Sequence, residues 1–239
     1  MNTVLFVVIQ FFVNIIQAIT GFAGAPIAMP PSIALVGASD AKASITFLLW
    51  LSSLTVAVRS VKDINFKQLA IMIGGMIPGV VAGLWLFSNS PLKILMLIYG
   101  IVVVLIGLKK LIIPSKKNLP KWAQYVAIIL AGLMQGMFTS GGPFLALYST
   151  AAIKDKREFR ATVSSVWSLL NIYMIISMYK SGMYQPYTCK LMALSVIPLF
   201  LAIFIGNILN KKMKQDSFLK FVYILLILSG SLLIYNYFS

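Results

Sequence analysis

Apolar residues run along this chain in long stretches separated by short polar ones, and the separations recur in a fixed order. The stretches predict helical segments at about 3–20, 26–37, 43–58, 67–87 and 92–108. The same order returns at about 122–138, 143–153, 161–179, 190–209 and 218–237. Most of these approach the ~20 residues that a helix needs to cross a ~30 Å hydrocarbon core. The second and seventh are shorter: about a dozen residues at ~1.5 Å each cover roughly half of it. Each short segment follows a polar, glycine-rich break. The first is Thr20-Gly21-Phe22-Ala23-Gly24-Ala25-Pro26 and the second is Phe138-Thr139-Ser140-Gly141-Gly142-Pro143. Open backbone is costly against lipid and belongs where protein or a water-filled cavity lines it. Two matched breaks, one per half, therefore point to the binding site of a transporter.

The halves echo each other elsewhere. Gly24 and Gly141, like Pro26 and Pro143, are 117 positions apart. Lys42-Ala43-Ser44 returns as Arg160-Ala161-Thr162 at an offset of 118, and Ile77-Pro78 as Ile197-Pro198 at 120. Offsets that drift by a few residues are expected where insertions fall in loops. The linker from Lys109 to Lys121, with Pro114 and Pro120, divides a first repeat of about 1–113 from a second of about 120–239. The expected fold is one all-α polytopic membrane domain over 1–239. It is built of two five-segment repeats, each with a short helix broken off by glycine and proline, or with a re-entrant hairpin. An odd number of segments per repeat makes the two repeats inverted.

Composition fixes the medium. Hydrophobic residues make up 60% of the chain and charged ones 10%, against about a quarter charged in a soluble domain. The 20 Lys and Arg outnumber 5 Asp and Glu. In a soluble protein that excess suggests nucleic acid. Here the cations sit in short loops, where they set orientation in a lipid bilayer. Arg59, Lys62, Lys67, Lys109, Lys110, Lys116, Lys117, Lys121, Lys154, Lys156, Arg157, Arg160, Lys211, Lys212, Lys214 and Lys220 fall on one side. Only Lys42, Lys93, Lys180 and Lys190 fall on the other. That asymmetry puts the first set in the cytoplasm and both termini outside the cell membrane. Fusing segments one with two, and six with seven, scatters the cations over both faces. Cys189 is the single cysteine and histidine is absent, so no internal disulfide, metal site or cofactor is expected. The first segment lacks a basic leader and reads as mature protein.

The breaks carry the candidate chemistry. Pro26 and Pro143 suit the first turn of a helix, whose free N–H groups and positive dipole end attract anions. The negative C-terminal ends of segments one and six oppose this, but donor N–H groups act at shorter range. Gly21, Gly24, Gly141 and Gly142 let a ligand approach the backbone. Thr20, Thr139 and Ser140 add hydroxyls at the same depth. Gln17 shares one helical face with Gln10 and Asn14, which turns inward. Ser44 and Thr162, opening segments three and eight, complete the candidate substrate-binding set. Thr46, Ser164, Ser165 and Asn171 are polar groups that bond across helices or touch substrate. Trp50 and Trp167 lie in mid-segment and read as packing first and pocket walls second. Lys42 and Arg160 occupy corresponding positions at opposite entrances, as electrostatic gates that draw in anions or as snorkelling helix-end charges that set orientation. Asp40, Asp63, Asp155, Glu158 and Asp216 all lie in loops or at segment ends, which leaves no cation site in mid-membrane. With no nucleophile–base pair, an enzyme is not expected. The alternatives to an anion carrier are a membrane scaffold or a carrier for an uncharged small solute.

With Gly21-Phe22-Ala23-Gly24-Ala25-Pro26 and Ser140-Gly141-Gly142-Pro143, each followed by an apolar run and then Lys/Arg-Ala-Ser/Thr, the chain resembles the sulfite exporter TauE/SafE family over nearly its whole length. Ala23 and Ala25 flank Gly24 where that family has a glycine triplet, and Ser140 stands where a glycine would. The resemblance implies secondary transport of a small anion, such as sulfite or an organic sulfonate, commonly outward.

Overall fold

A computed structural model describes residues 2–89, 92–112, 120–139 and 141–238. Of the positions singled out above, Ser140 and the linker residues Pro114, Lys116 and Lys117 lie outside them. The described residues form ten α-helices and contain no strand. They are α1 (Asn2–Thr20), α2 (Gly24–Val36), α3 (Ala38–Arg59), α4 (Phe66–Asn89), α5 (Leu92–Ile112), α6 (Lys121–Phe138), α7 (Gly142–Ala152), α8 (Lys156–Lys180), α9 (Pro186–Lys212) and α10 (Gln215–Phe238). Each expected segment is present. Among the described residues, six stretches are long and apolar enough to cross a membrane, within α1, α3, α4, α8, α9 and α10.

Helix ends move where capping outweighs hydropathy. The structure starts α8 five residues before the apolar run, because Asp155 Oδ1 accepts the N–H groups of Arg157 at 2.8 Å and Glu158 at 3.0 Å. A side-chain acceptor there satisfies donors that the first helical turn leaves unpaired. α9 likewise starts at Pro186, whose missing N–H costs nothing at a helix start. The short helices α2 and α7 have 13 and 11 residues, a rise of only about 20 and 16 Å. Pro78 and Pro198 stay inside α4 and α9, where each withholds a donor from the carbonyl four residues earlier.

The chain divides into two compact units, Met1–Asn65 with Arg160–Met213 and Phe66–Phe159 with Lys214–Ser239. In the first unit α1 packs along α9, with α2 and α3 against them. Its core contains Phe6, Ile45, Leu48, Leu191 and Leu199. A small satellite contact joins Ala43 of α3 to Met174 and Met178 near the end of α8. In the second unit α4 packs on α6, and α5 on α10. Small residues make these contacts, as expected between helices in lipid, where close backbone approach replaces a hydrophobic driving force. Gly75, Gly79 and Gly83 share one face of α4, and a Cβ at Gly79 or Gly83 would run into the Ile129 or Leu133 carbonyl of α6. Gly100 and Gly230 mark the crossing of α5 and α10, where a Cβ on either would stand 2.8 or 2.7 Å from the other's carbonyl oxygen.

Candidate functional site

The first break is a closed turn at the end of α1. Gly21 adopts φ 84°, a left-handed backbone that favours glycine, and its N–H closes α1 on the Gln17 carbonyl at 2.7 Å. The Gln17 side chain then ties the turn together. Its Oε1 accepts the Gly24 N–H at 2.9 Å, and its Nε2 donates to the Gly21 carbonyl and to Ser53 Oγ, both at 3.1 Å. The Thr20 hydroxyl donates to the Ile16 carbonyl at 2.9 Å and accepts from Phe22 and Ala23 N–H at 3.4 Å. The free donors expected at the start of α2 are therefore largely used within the turn. Gly24 has no room for a side chain, since a Cβ would lie 2.6 Å from Leu49 Cδ2. Pro26 is the third residue of α2, still within the first turn.

The second break repeats this device in the other unit. Gln135 Oε1 accepts the Gly141 N–H at 3.2 Å, and Pro143 is the second residue of α7. A Cβ at Gly141 would collide with the Ala131 carbonyl. Thr139 closes α6 in the left-handed region at φ 55° and ψ 29°, and its buried hydroxyl has no partner among the described residues. Gly142 is buried at the start of α7. Gln135 was not among the candidates, although its offset of 118 from Gln17 fits the repeat. A glutamine four residues from a helix end looks like an ordinary interior amide until its reach to the next helix is seen.

Around the first break the structure gathers polar groups from three further helices. A Cβ at Gly21 would stand 3.1 Å from Ser164 Oγ and 3.3 Å from the Arg160 carbonyl, so α8 lies against the turn. Arg160 is 9% exposed. Its guanidinium donates to Asn207 Oδ1 of α9, its Nε has no partner, and no carboxylate pairs with it among the described residues. Asn210 Nδ2 donates to the Ile19 carbonyl at 2.9 Å. Asn207 and Asn210 were likewise missed, though amides in the last turns of an apolar helix are a usable signal.

The remaining candidates are more dispersed. Thr162 accepts the Asn65 N–H at 3.0 Å, a loop contact. Ser44 is buried with an unpaired hydroxyl in α3. Lys42, the fifth residue of α3, is half-buried and follows by two positions Asp40, which accepts from Thr188. Ala43 of α3 clusters with Met174 and Met178 near the end of α8, while the first break meets Leu49 and Ser53 of α3 and Ser164 of α8, so the two helices run in opposite senses. Lys42 and Arg160 thus mark opposite ends of that pair. Between them run two polar faces: buried Thr46 and Ser53 with half-buried Trp50 on α3, and buried Ser164, Trp167 and Asn171 on α8. Among the described residues, Thr46 Oγ1, Trp50 Nε1, Ser164 Oγ and Trp167 Nε1 have no hydrogen-bond partner, and neither do Gln10 Oε1 and Asn14 Oδ1 on α1. Leaving such groups dry costs about 1–3 kcal/mol each, so each calls for water or a ligand as its partner.

A family model described as sulfite exporter TauE/SafE matches residues 6–233. Among curated proteins, a probable inner membrane transporter protein, TsaS of Comamonas testosteroni, is 22% identical over 172 residues, which cover 71% of this chain and 72% of that relative. No solved structure gives a significant match.

Proposed function

From the premise that this chain belongs to the sulfite exporter TauE/SafE family, and so is a membrane transporter rather than an enzyme, we propose that it carries a small oxyanion outward across the cell membrane. The observation that carries this reading is Arg160. A guanidinium that is 9% exposed and paired only to a neutral amide among the described residues holds an uncompensated charge, which is expensive away from water. A bound anion supplies the missing partner, and sulfite or a sulfonate suits the fork of guanidinium donors. Supporting features are the turn at Thr20, Gly21 and Gly24 beside it, and the absence of acidic residues from the helices beyond their first turns: Asp40, Glu158 and Asp216 all sit there. The second break, at Thr139, Ser140, Gly141, Gly142 and Pro143, is assigned the same role for its own unit. Inverted repeats, cytoplasmic Arg160 and external termini complete the proposal, on the strength of the cation asymmetry.

Sulfite and sulfoacetate are expected to raise the melting temperature of the purified protein, since binding to the native state stabilises it. Radiolabelled sulfite flux in proteoliposomes then tests transport and its direction. Stabilisation by cations or neutral amides alone would exclude the anion reading. An uncharged solute is the second reading, favoured by the unpaired acceptors Gln10 Oε1 and Asn14 Oδ1. It requires that amides stabilise the protein and anions do not.

A further inference from the structure

Two tryptophans stand where packing alone does not account for them. Trp167 is 5% exposed and Ser164 1%, Trp50 is half-buried, and the indole N–H groups of both tryptophans are inaccessible and have no partner among the described residues. An indole nitrogen donates and never accepts. The two residues also share a level in the fold. Trp50 follows Ala43 by seven residues, and Trp167 precedes Met174 by seven. Ala43 clusters with Met174 and Met178, so each indole lies about 10 Å along its own helix from that cluster. From the other side, the first break touches Leu49 and Ser53 on α3 and Ser164 on α8. Trp50 adjoins Leu49, and Trp167 is one turn from Ser164. Both routes place the indoles in the layer next to the break.

We propose that these buried donors form an oxyanion subsite in the first unit, in which the Trp50 and Trp167 N–H groups bind substrate oxygens alongside Ser164 and Arg160. The subsite deepens the anion reading above and rests on it. Indole and guanidinium N–H groups donate only. The carboxylates of this unit are elsewhere: Asp40 is bonded to Thr188 ten residues before Trp50, and Asp63 is exposed in the turn Val61–Asp63. The nearest unpaired acceptor on α1, Asn14 Oδ1, is a turn before Gln17, on the side away from the break. With N–H donors gathered and the carboxylates elsewhere, the subsite suits a small oxyanion such as sulfate or a sulfonate, and the Ser164 hydroxyl and Asn207 Oδ1 can also accept.

The test is thermal stabilisation of the detergent-purified full chain by methanesulfonate and sulfate, both of which are expected to stabilise the wild type. Trp50→Phe and Trp167→Phe keep most of the ring volume but delete the donor, and each is expected to weaken methanesulfonate binding roughly ten-fold. Trp85→Phe and Trp122→Phe, at exposed positions, are expected to bind as the wild type does. The ligand-free melting temperature of each variant reports its folding, and Ser164→Ala is expected to give a comparable loss should an indole variant fail to fold. Wild-type affinity in both indole variants and in Ser164→Ala overturns the subsite and leaves the anion reading standing. A wild type stabilised by neither anion overturns the subsite, and failure with sulfite and sulfoacetate as well overturns the anion reading.

Discussion

Thr139 holds a left-handed backbone, φ 55°, that a β-branched residue adopts at a cost of about 1–2 kcal/mol. Its hydroxyl is buried without a partner among the described residues. Both features are unfavourable to the ligand-free fold, so the position is a candidate for direct use by substrate. Thr139→Gly is expected to stabilise the protein by about 1 kcal/mol while weakening anion binding. A variant that is more stable and transports normally would make Thr139 merely a poor cap. Arg160→Gln is expected to raise the half-saturating anion concentration ten-fold or more, because a charged donor to substrate contributes about 1.5–3 kcal/mol. Arg160→Lys keeps the charge but not the planar fork, and an intermediate value is expected. The chain has no histidine, so methanesulfonate binding is expected to stay level between about pH 6 and 8. A sulfite dependence over that range then belongs to the substrate's own proton.

At the scale of elements, each break is a helix hairpin locked by a glutamine. Gln17 serves three groups at once, the Gly24 N–H, the Gly21 carbonyl and Ser53. Gln17→Leu orphans all three, at about 1–3 kcal/mol for each group left dry. A fall of several degrees in melting temperature is expected, and an unchanged value would show that water replaces the amide. Gln135→Leu is expected to act likewise through the Gly141 N–H. The glycines behave differently from the expectation of open backbone awaiting a ligand. Gly24 and Gly141 are filled positions, closed by Leu49 and by the Ala131 carbonyl. Leu at either site is expected to reduce the yield of folded protein, not transport alone, as measured by monodisperse recovery after solubilisation. Gly21, against Ser164 and the Arg160 backbone, is the glycine that adjoins the proposed site.

For the whole molecule, orientation is the testable quantity. In a Cys189→Ser background, which removes the one exposed cysteine, Lys62→Cys and Lys212→Cys are expected to resist an impermeant thiol reagent applied to intact cells. Ser181→Cys, at an exposed position beyond α8, is expected to react. The reverse pattern contradicts external termini and inverted repeats. Asn210, two residues before Lys212, is unsuitable for such labelling, because its side chain is buried on the Ile19 carbonyl.

All ten helices, the two breaks and the membrane class were legible in the sequence. Lipid imposes these locally, since every apolar stretch must close its own backbone hydrogen bonds as a helix. The candidate residues Thr20, Gly21, Gln17 and Arg160 were legible too, as polar or cationic exceptions in apolar surroundings. Their grouping was not. Arg160 lies 139 positions from Gly21 in the chain, and only the packing of α8 against the turn brings the two together. Tertiary structure also decided what the glycines do, because available space depends on a neighbour's backbone and not on the residue itself. It changed Trp50 and Trp167 from packing into unpaired donors for the same reason: whether a buried N–H is satisfied depends on what lies opposite it, and no local pattern records that.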